Sequence, residues 1–194
     1  MAVALCAACV ATTAFAEDDF GIESATPTAI ADPVNPQPGM VVNIYPVEGI
    51  GMSWERLQKL FSGLATTASE KTEIYKGDNF SIPNQSRNKI GRWEGLLKCK
   101  RAATYTFVVN AKGTNGPWDG YVLKVNGKTI IKSGEGKTPA DANLKIGWNK
   151  IELMALLGSK KPLEMEYKPK GSLSEPRPLT PSMMFHDQKP EEDW

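Results

Sequence analysis

Tyr121-Val122-Leu123-Lys124-Val125-Asn126-Gly127-Lys128-Thr129-Ile130-Ile131 is the stretch whose reading decides the fold. Two short apolar, β-branched runs flank Asn126-Gly127, a pair that tolerates positive φ at both central positions of a tight turn. That combination predicts a β-hairpin. The period of two persists on both sides. In residues 92–99, Trp93, Gly95, Leu97 and Cys99 share one face. In residues 103–111, Tyr105, Phe107 and Val109 alternate with Thr104, Thr106 and Val108. Residues 142–146 lead through Gly147-Trp148-Asn149 into residues 151–157. A turn over 158–162 precedes a strand over 163–167, and Met183-Met184-Phe185-His186 reads as a closing strand. Short strands at this spacing predict a mainly β chain folded as an antiparallel sandwich or barrel.

One segment has a different period. Trp54, Leu57, Leu60, Phe61 and Leu64 fall on one face of a helix. Ser53 is placed to cap it, Glu55 suits its positive end, and Gly63 limits its length. Upstream, residues 17–46 are rich in Pro, Ala, Thr and acids, with too little apolar surface to offset the entropy of ordering. Residues 17–50 are therefore expected to be a flexible or extended acidic arm. Its one apolar cluster, Met40-Val41-Val42-Asn43-Ile44-Tyr45, is expected to add to a sheet edge, which makes self-assembly through residues 40–45 an option.

Charge is unevenly spread. All 23 Lys and Arg residues follow residue 50, whereas Glu191, Glu192 and Asp193 make an acidic tail over 188–194. The basic middle lacks the dense clusters with interleaved aromatics of a nucleic-acid binder, so no nucleic-acid partner is expected. Residues 1–16 (MAVALCAACVATTAFA) are apolar and uncharged and end in Ala14-Phe15-Ala16 ahead of three acids. They read as a signal peptide without its usual positive start, and are too short for a transmembrane helix. The expected destination is the periplasm, cell surface or exterior. Cys9 after Ala7-Ala8 raises lipidation as an alternative, although Cys6 stands where a Leu-like residue belongs. With the leader removed, Cys99 is the remaining cysteine and has no internal disulfide partner. Its strand pattern predicts a small buried residue, with an intermolecular bridge as the alternative.

Catalytic signatures are missing from the pattern. His186 is the one histidine, and no G-x-S-x-G elbow accompanies it. Gly134-Glu135-Gly136-Lys137-Thr138 lacks the earlier glycine of a phosphate loop and joins two strands. Glu164 and Glu166, two apart, read as an exposed acidic stripe. No enzymatic activity, catalytic residue or resident metal is expected.

Several of these strands together resemble the PA14 domain. Gly91-Arg92-Trp93-Glu94-Gly95 followed by residues 103–109 is similar to its W-x-G … Y-T-F run. Residues 119–131 are similar to its D-G-x-x-L-x-V-D-G-K-x-V-I segment. Residues 144–151 and 179–186 resemble its L-x-x-G-x-x-x-I pair and closing I-P-x-x-x-L-Y-H. The resemblance covers residues 80 to 187, within a β domain drawn over 51–187. It implies a secreted or cell-envelope binding module whose ligand is a glycan or a protein. A structural subunit of an envelope assembly, joined through the N-terminal arm, is the alternative. In glycan-binding relatives an Asp-Asp-Gly loop holds calcium against the sugar. Here that loop reads Gly116-Pro117-Trp118-Asp119-Gly120, so Asp119 matches the second aspartate and Trp118 replaces the first. Calcium takes six to eight oxygen ligands, and one carboxylate falls short of that, so no cofactor is expected, with calcium as the alternative. The residues singled out for ligand binding are Trp118, whose ring can stack on a sugar face, Asp119 and Asn115; for Trp118 a cap on the end of the sandwich and an anchor in a protein interface are the alternatives.

Overall fold

The computed structural model describes residues 30–47, 54–64, 66–81, 89–110, 120–133, 139–157 and 162–188. In chain order its elements are β1 (Pro36–Pro38), β2 (Met40–Pro46), α1 (Trp54–Gly63), β3 (Lys71–Tyr75), β4 (Lys89–Cys99), β5 (Ala103–Asn110) and β6 (Tyr121–Val125). They continue with β7 (Lys128–Lys132), β8 (Ala140–Leu144), β9 (Gly147–Leu157), β10 (Glu164–Pro169), β11 (Arg177–Pro178) and β12 (Phe185–Asp187).

The period-two pattern produces two antiparallel sheets. The larger runs β1-β12-β4-β9-β6-β7, with β2 beside the first half of β4 and β3 beyond it; the smaller runs β11-β10-β5-β8. Its spine is the pair β4 and β9, in register from Lys89↔Leu157 to Cys99↔Gly147. Trp93, Leu97, Leu123, Ile151 and Leu153 point inward from the large sheet, against Phe107, Val109, Leu144 and Met165 of the small one. Each such side chain contributes about 1.5–3 kcal/mol when withdrawn from water. This is the antiparallel β-sandwich that the alternation predicts.

The hairpin forms where Asn126-Gly127 placed it. Asn126 has φ of 52° and Gly127 of 82°, the positive values a two-residue turn of this hand requires. A register shift between Leu123 and Lys124 bulges the ribbon. The helix also forms, and its apolar face has a definite target. Leu57, Phe61 and Leu64 pack on Tyr45, Ile90, Val122, Met154 and Leu156, on the outer face of the large sheet.

Three expectations change. The cluster at residues 40–45 is no free arm, because β2 pairs with β3 on one side and β4 on the other. Met40, Val42 and Ile44 are buried in the main core, so this segment has no edge left for a neighbour. The pairing places residues 36–46 inside the β domain, although the composition of 17–50 suggested an arm. Second, Gly147-Trp148-Asn149 opens β9 instead of linking two strands, and β8 ends at Leu144. The buried Asn149 is the cause: it takes both the N–H and the C=O of Lys145, and so breaks the chain there. Third, the closing strand begins at Phe185, after a 3-10 turn over Pro181–Met183.

Candidate binding site

Register relationships gather many strand ends at one end of the sandwich. Pro46 lies opposite Lys89, Lys89 opposite Leu157, and Tyr121 opposite Ala155. In the small sheet, Asn110 at the end of β5 lies opposite Glu164 at the start of β10. Asn110 ends its run in the small sheet and Gly120 leads into the large one, so the connection 111–119, itself outside the described residues, has its two feet in different sheets.

Its two feet are held firmly. Leu156 N–H donates to the C=O of the buried Gly120 at 2.8 Å. Tyr121 N–H donates to Ser133 Oγ at 2.8 Å, and Ser133 N–H returns a bond to Tyr121 C=O at 2.9 Å. Tyr121 is half-buried, and burial pushes its phenol above the usual tyrosine range. The described rim thus offers a neutral phenol, the Asn110 amide and the Glu164 carboxylate.

Asn115, Trp118 and Asp119, the residues singled out from sequence, lie outside the described residues, as does the 134–138 segment. What the structure places are their flanks, Asn110 and Gly120. Glu164 and Glu166 occupy alternate positions of β10, opposite Asn110 and Val108. His186 sits half-buried in β12, with Nδ1 3.4 Å from Gly39 C=O. Cys99 is half-buried at the far end of β4, and burial raises its thiol pKa. Among the described residues no group of three His, Cys, Asp or Glu side chains is arranged to hold a metal ion. Among them also, no helix is long and apolar enough to cross a membrane.

A second polar cluster, which strand alternation alone did not reveal, lies on the outer face of the large sheet. Glu94 and Glu152 stand directly opposite each other on β4 and β9. Arg92 Nη2 contacts both, at 3.2 and 3.3 Å, and Lys150 Nζ reaches Glu94 at 2.7 Å. Lys124 Nζ lies 3.5 Å from Glu152. Burial disfavours the charge on Arg92, but Glu152 and Glu94 outweigh it and leave its pKa raised. The three cations surround two carboxylates that would otherwise repel each other. The signal for this cluster was present in the Lys/Glu alternation of residues 92–98 and 150–152, but only strand register shows which charges meet.

Neither a family model nor a curated protein matches the chain. Solved structures do. The PA14 domain of the antifreeze protein MpAFP aligns with 84% of this chain and 98% of its own, at 13% identity and a TM-score of 0.59. The A domain of epithelial adhesin 6 from Candida glabrata, solved with Galβ1-3GlcNAc, aligns over 84% and 92% of the two chains at 13% identity and a TM-score of 0.52. An anti-sigma factor domain-containing protein aligns at 17% identity and a TM-score of 0.52, over 84% of this chain and 51% of its own. At such identities the likeness is one of architecture, and on that ground the chain has a PA14-like β-sandwich fold.

Proposed function

We propose that the chain is a non-enzymatic binding module that takes a glycan at the end of the sandwich bridged by residues 111–119. One observation carries the reading: the two feet of that connection, Asn110 and Gly120, belong to different sheets and are pinned by main-chain pairing. A ligand site on such a bridge rests on a rigid scaffold. Epithelial adhesin 6, which shares the fold, was solved with Galβ1-3GlcNAc, and this supports a sugar over a protein as the ligand. Trp118 supplies a ring for the sugar face, while Asp119 and Asn115 hydrogen-bond its hydroxyls. The assembly reading loses its main support, because the strand expected to join a neighbour is paired on both edges within the chain. Export is part of the proposal, resting on residues 1–16 as a leader.

A glycan array on residues 17–194, run with calcium and with chelator, tests this reading. Binding that survives the chelator and is lost in Trp118→Ala fits stacking at the bridge. Binding only with calcium, lost in Asp119→Ala, fits a bridge that recruits the ion despite its single carboxylate. Silence in both conditions overturns the glycan reading.

A further inference from the structure

The Asn126-Gly127 turn carries a reactivity that the binding reading does not use. Gly127 has no side chain, so little hinders its main-chain nitrogen from attacking Asn126 Cγ. In that step a C–N bond forms, the bond from Cγ to Nδ2 breaks, and ammonia leaves with the proton from Gly127. The product is a five-membered cyclic imide. Water then opens the ring at either carbonyl. One opening leaves aspartate at 126; the other leaves isoaspartate, whose main chain runs through the former side chain. Water is the only co-reactant.

In the folded chain the reacting carbon is held away from its nucleophile. Asn126 Nδ2 donates to Asn149 Oδ1 at 2.9 Å, and Asn126 Oδ1 accepts from Lys150 N–H at 2.9 Å. Both partners lie on β9, so the amide is turned back onto that strand. Asn126 N–H donates to Lys150 C=O at 2.8 Å and ties the main chain to the same place. Ring closure requires Cγ to swing onto the Gly127 nitrogen, which breaks both side-chain bonds. Gly127 is exposed. Water therefore reaches the turn, and hydrogen bonds, not burial, keep the ring open.

Neither product fits back into the clamp. Asn149 Oδ1 also accepts from Lys145 N–H, while Asn149 Nδ2 donates to Lys145 C=O and Gly147 C=O. That amide cannot flip to offer a donor without losing these bonds. A carboxylate at 126 therefore meets an acceptor where the native amide donated. Isoaspartate lengthens the main chain of a two-residue turn, whose geometry is tightly set. Either change loosens the tie between the β6–β7 hairpin and the turn between β8 and β9.

We propose that Asn126 is a site of spontaneous deamidation that the native clamp holds shut and unfolding opens, so that a chain left unfolded is marked and refolds with less stability. The site is separate from the 111–119 connection, and glycan binding bears on neither its success nor its failure. The test is peptide mapping by mass spectrometry of the full chain, aged at mildly alkaline pH in buffer and in denaturing guanidinium chloride. In denaturant, Asn126 is expected to convert at a rate similar to Asn115, which opens the other Asn-Gly pair. In buffer, Asn126 should convert about tenfold more slowly than in denaturant, or slower still, because the reaction waits on local opening. Asn149→Ala, with its fold checked by circular dichroism, should recover most of that difference. If this variant does not fold, the wild type in sub-denaturing guanidinium takes its place, and conversion of Asn126 must rise with denaturant. Asn126→Asp, which imitates one product, should refold with a lower denaturation midpoint. Equal rates in buffer and denaturant overturn the proposal, as does a folded Asn149→Ala that converts no faster than the wild type. A rate flat across the sub-denaturing series, or an Asn126→Asp midpoint equal to that of the wild type, overturns it too.

Discussion

Asn126 and Asn149 bond to each other across the end of the large sheet, Asn126 Nδ2 donating to Asn149 Oδ1 at 2.9 Å. Asn126 Oδ1 also accepts from Lys150 N–H at 2.9 Å. Asn149 is fully buried, and its amide further accepts from Lys145 N–H and donates to Lys145 C=O and Gly147 C=O. One side chain therefore ties the β6–β7 hairpin to the turn between β8 and β9.

Asn149→Ala removes those bonds together and leaves partly buried main-chain groups of Lys145 and Gly147 unpaired. Each unpaired group costs about 1–3 kcal/mol. The expected loss is about 3 kcal/mol or more, read as a lower denaturation midpoint in urea. A loss under about 1 kcal/mol would show that water replaces the amide.

Gly91→Ala should be nearly as harmful, for a steric reason. A Cβ on Gly91 would collide with the Trp93 ring, which lies over it inside the core. Overpacking of this kind costs about 1–3 kcal/mol. Gly63, the last residue of α1, is the contrast: an added Cβ meets nothing within 4 Å, and Ala is a better helix former. Gly63→Ala should leave thermal stability unchanged or slightly raised. Equal effects at the two sites would contradict the packing described.

Glu152→Gln leaves Arg92 and Lys124 with less opposing charge in a largely buried setting. Because the remaining charge is incompletely paired, the change should destabilise by about 1–3 kcal/mol. Glu152→Gln combined with Lys124→Met should recover part of that loss, as a double-mutant cycle in urea would reveal. Strict additivity of the two changes would mean that the pair does not interact.

Cys99 should react slowly. Burial pushes its thiol pKa above the ordinary cysteine value, so at neutral pH less thiolate is present than for a free cysteine, and the thiolate is the nucleophile. Alkylation by iodoacetamide in the folded chain should be about tenfold slower than in urea. The linkage has a definite sign. A group whose folded pKa is raised adds stability that is complete below its unfolded pKa and lost as pH rises through the folded value. The Cys99 contribution should thus fade only in the alkaline range beyond about pH 8.5. Alkylation at equal rates in the two states would contradict the burial.

How far the fold was legible follows from the range of each signal. The hairpin at Asn126-Gly127 and the face shared by Leu57, Phe61 and Leu64 are local patterns, and both formed as read. Residues 40–45 were legible as a strand, but their place was not. Prolines and acids upstream give the segment the composition of an arm, while burial of Met40, Val42 and Ile44 depends on β3, β4 and the small sheet arriving from elsewhere in the chain. The turn at Lys145 was misplaced for a similar reason: the side chain of Asn149 sets it, and nothing in a two-residue period announces such a clamp.

Sequence by itself determined the strand periodicity, the amphipathic helix and the hairpin turn. These depend on neighbours within a few residues, where side-chain alternation and backbone preference act directly. Tertiary structure alone decided that Glu94 meets Glu152 under Arg92, and that Asn110 and Gly120 anchor one connection to two sheets. Those relationships depend on register between strands far apart in the chain. A slip of one residue would turn each side chain to the other face, and only the packing of the whole sandwich holds the register in place.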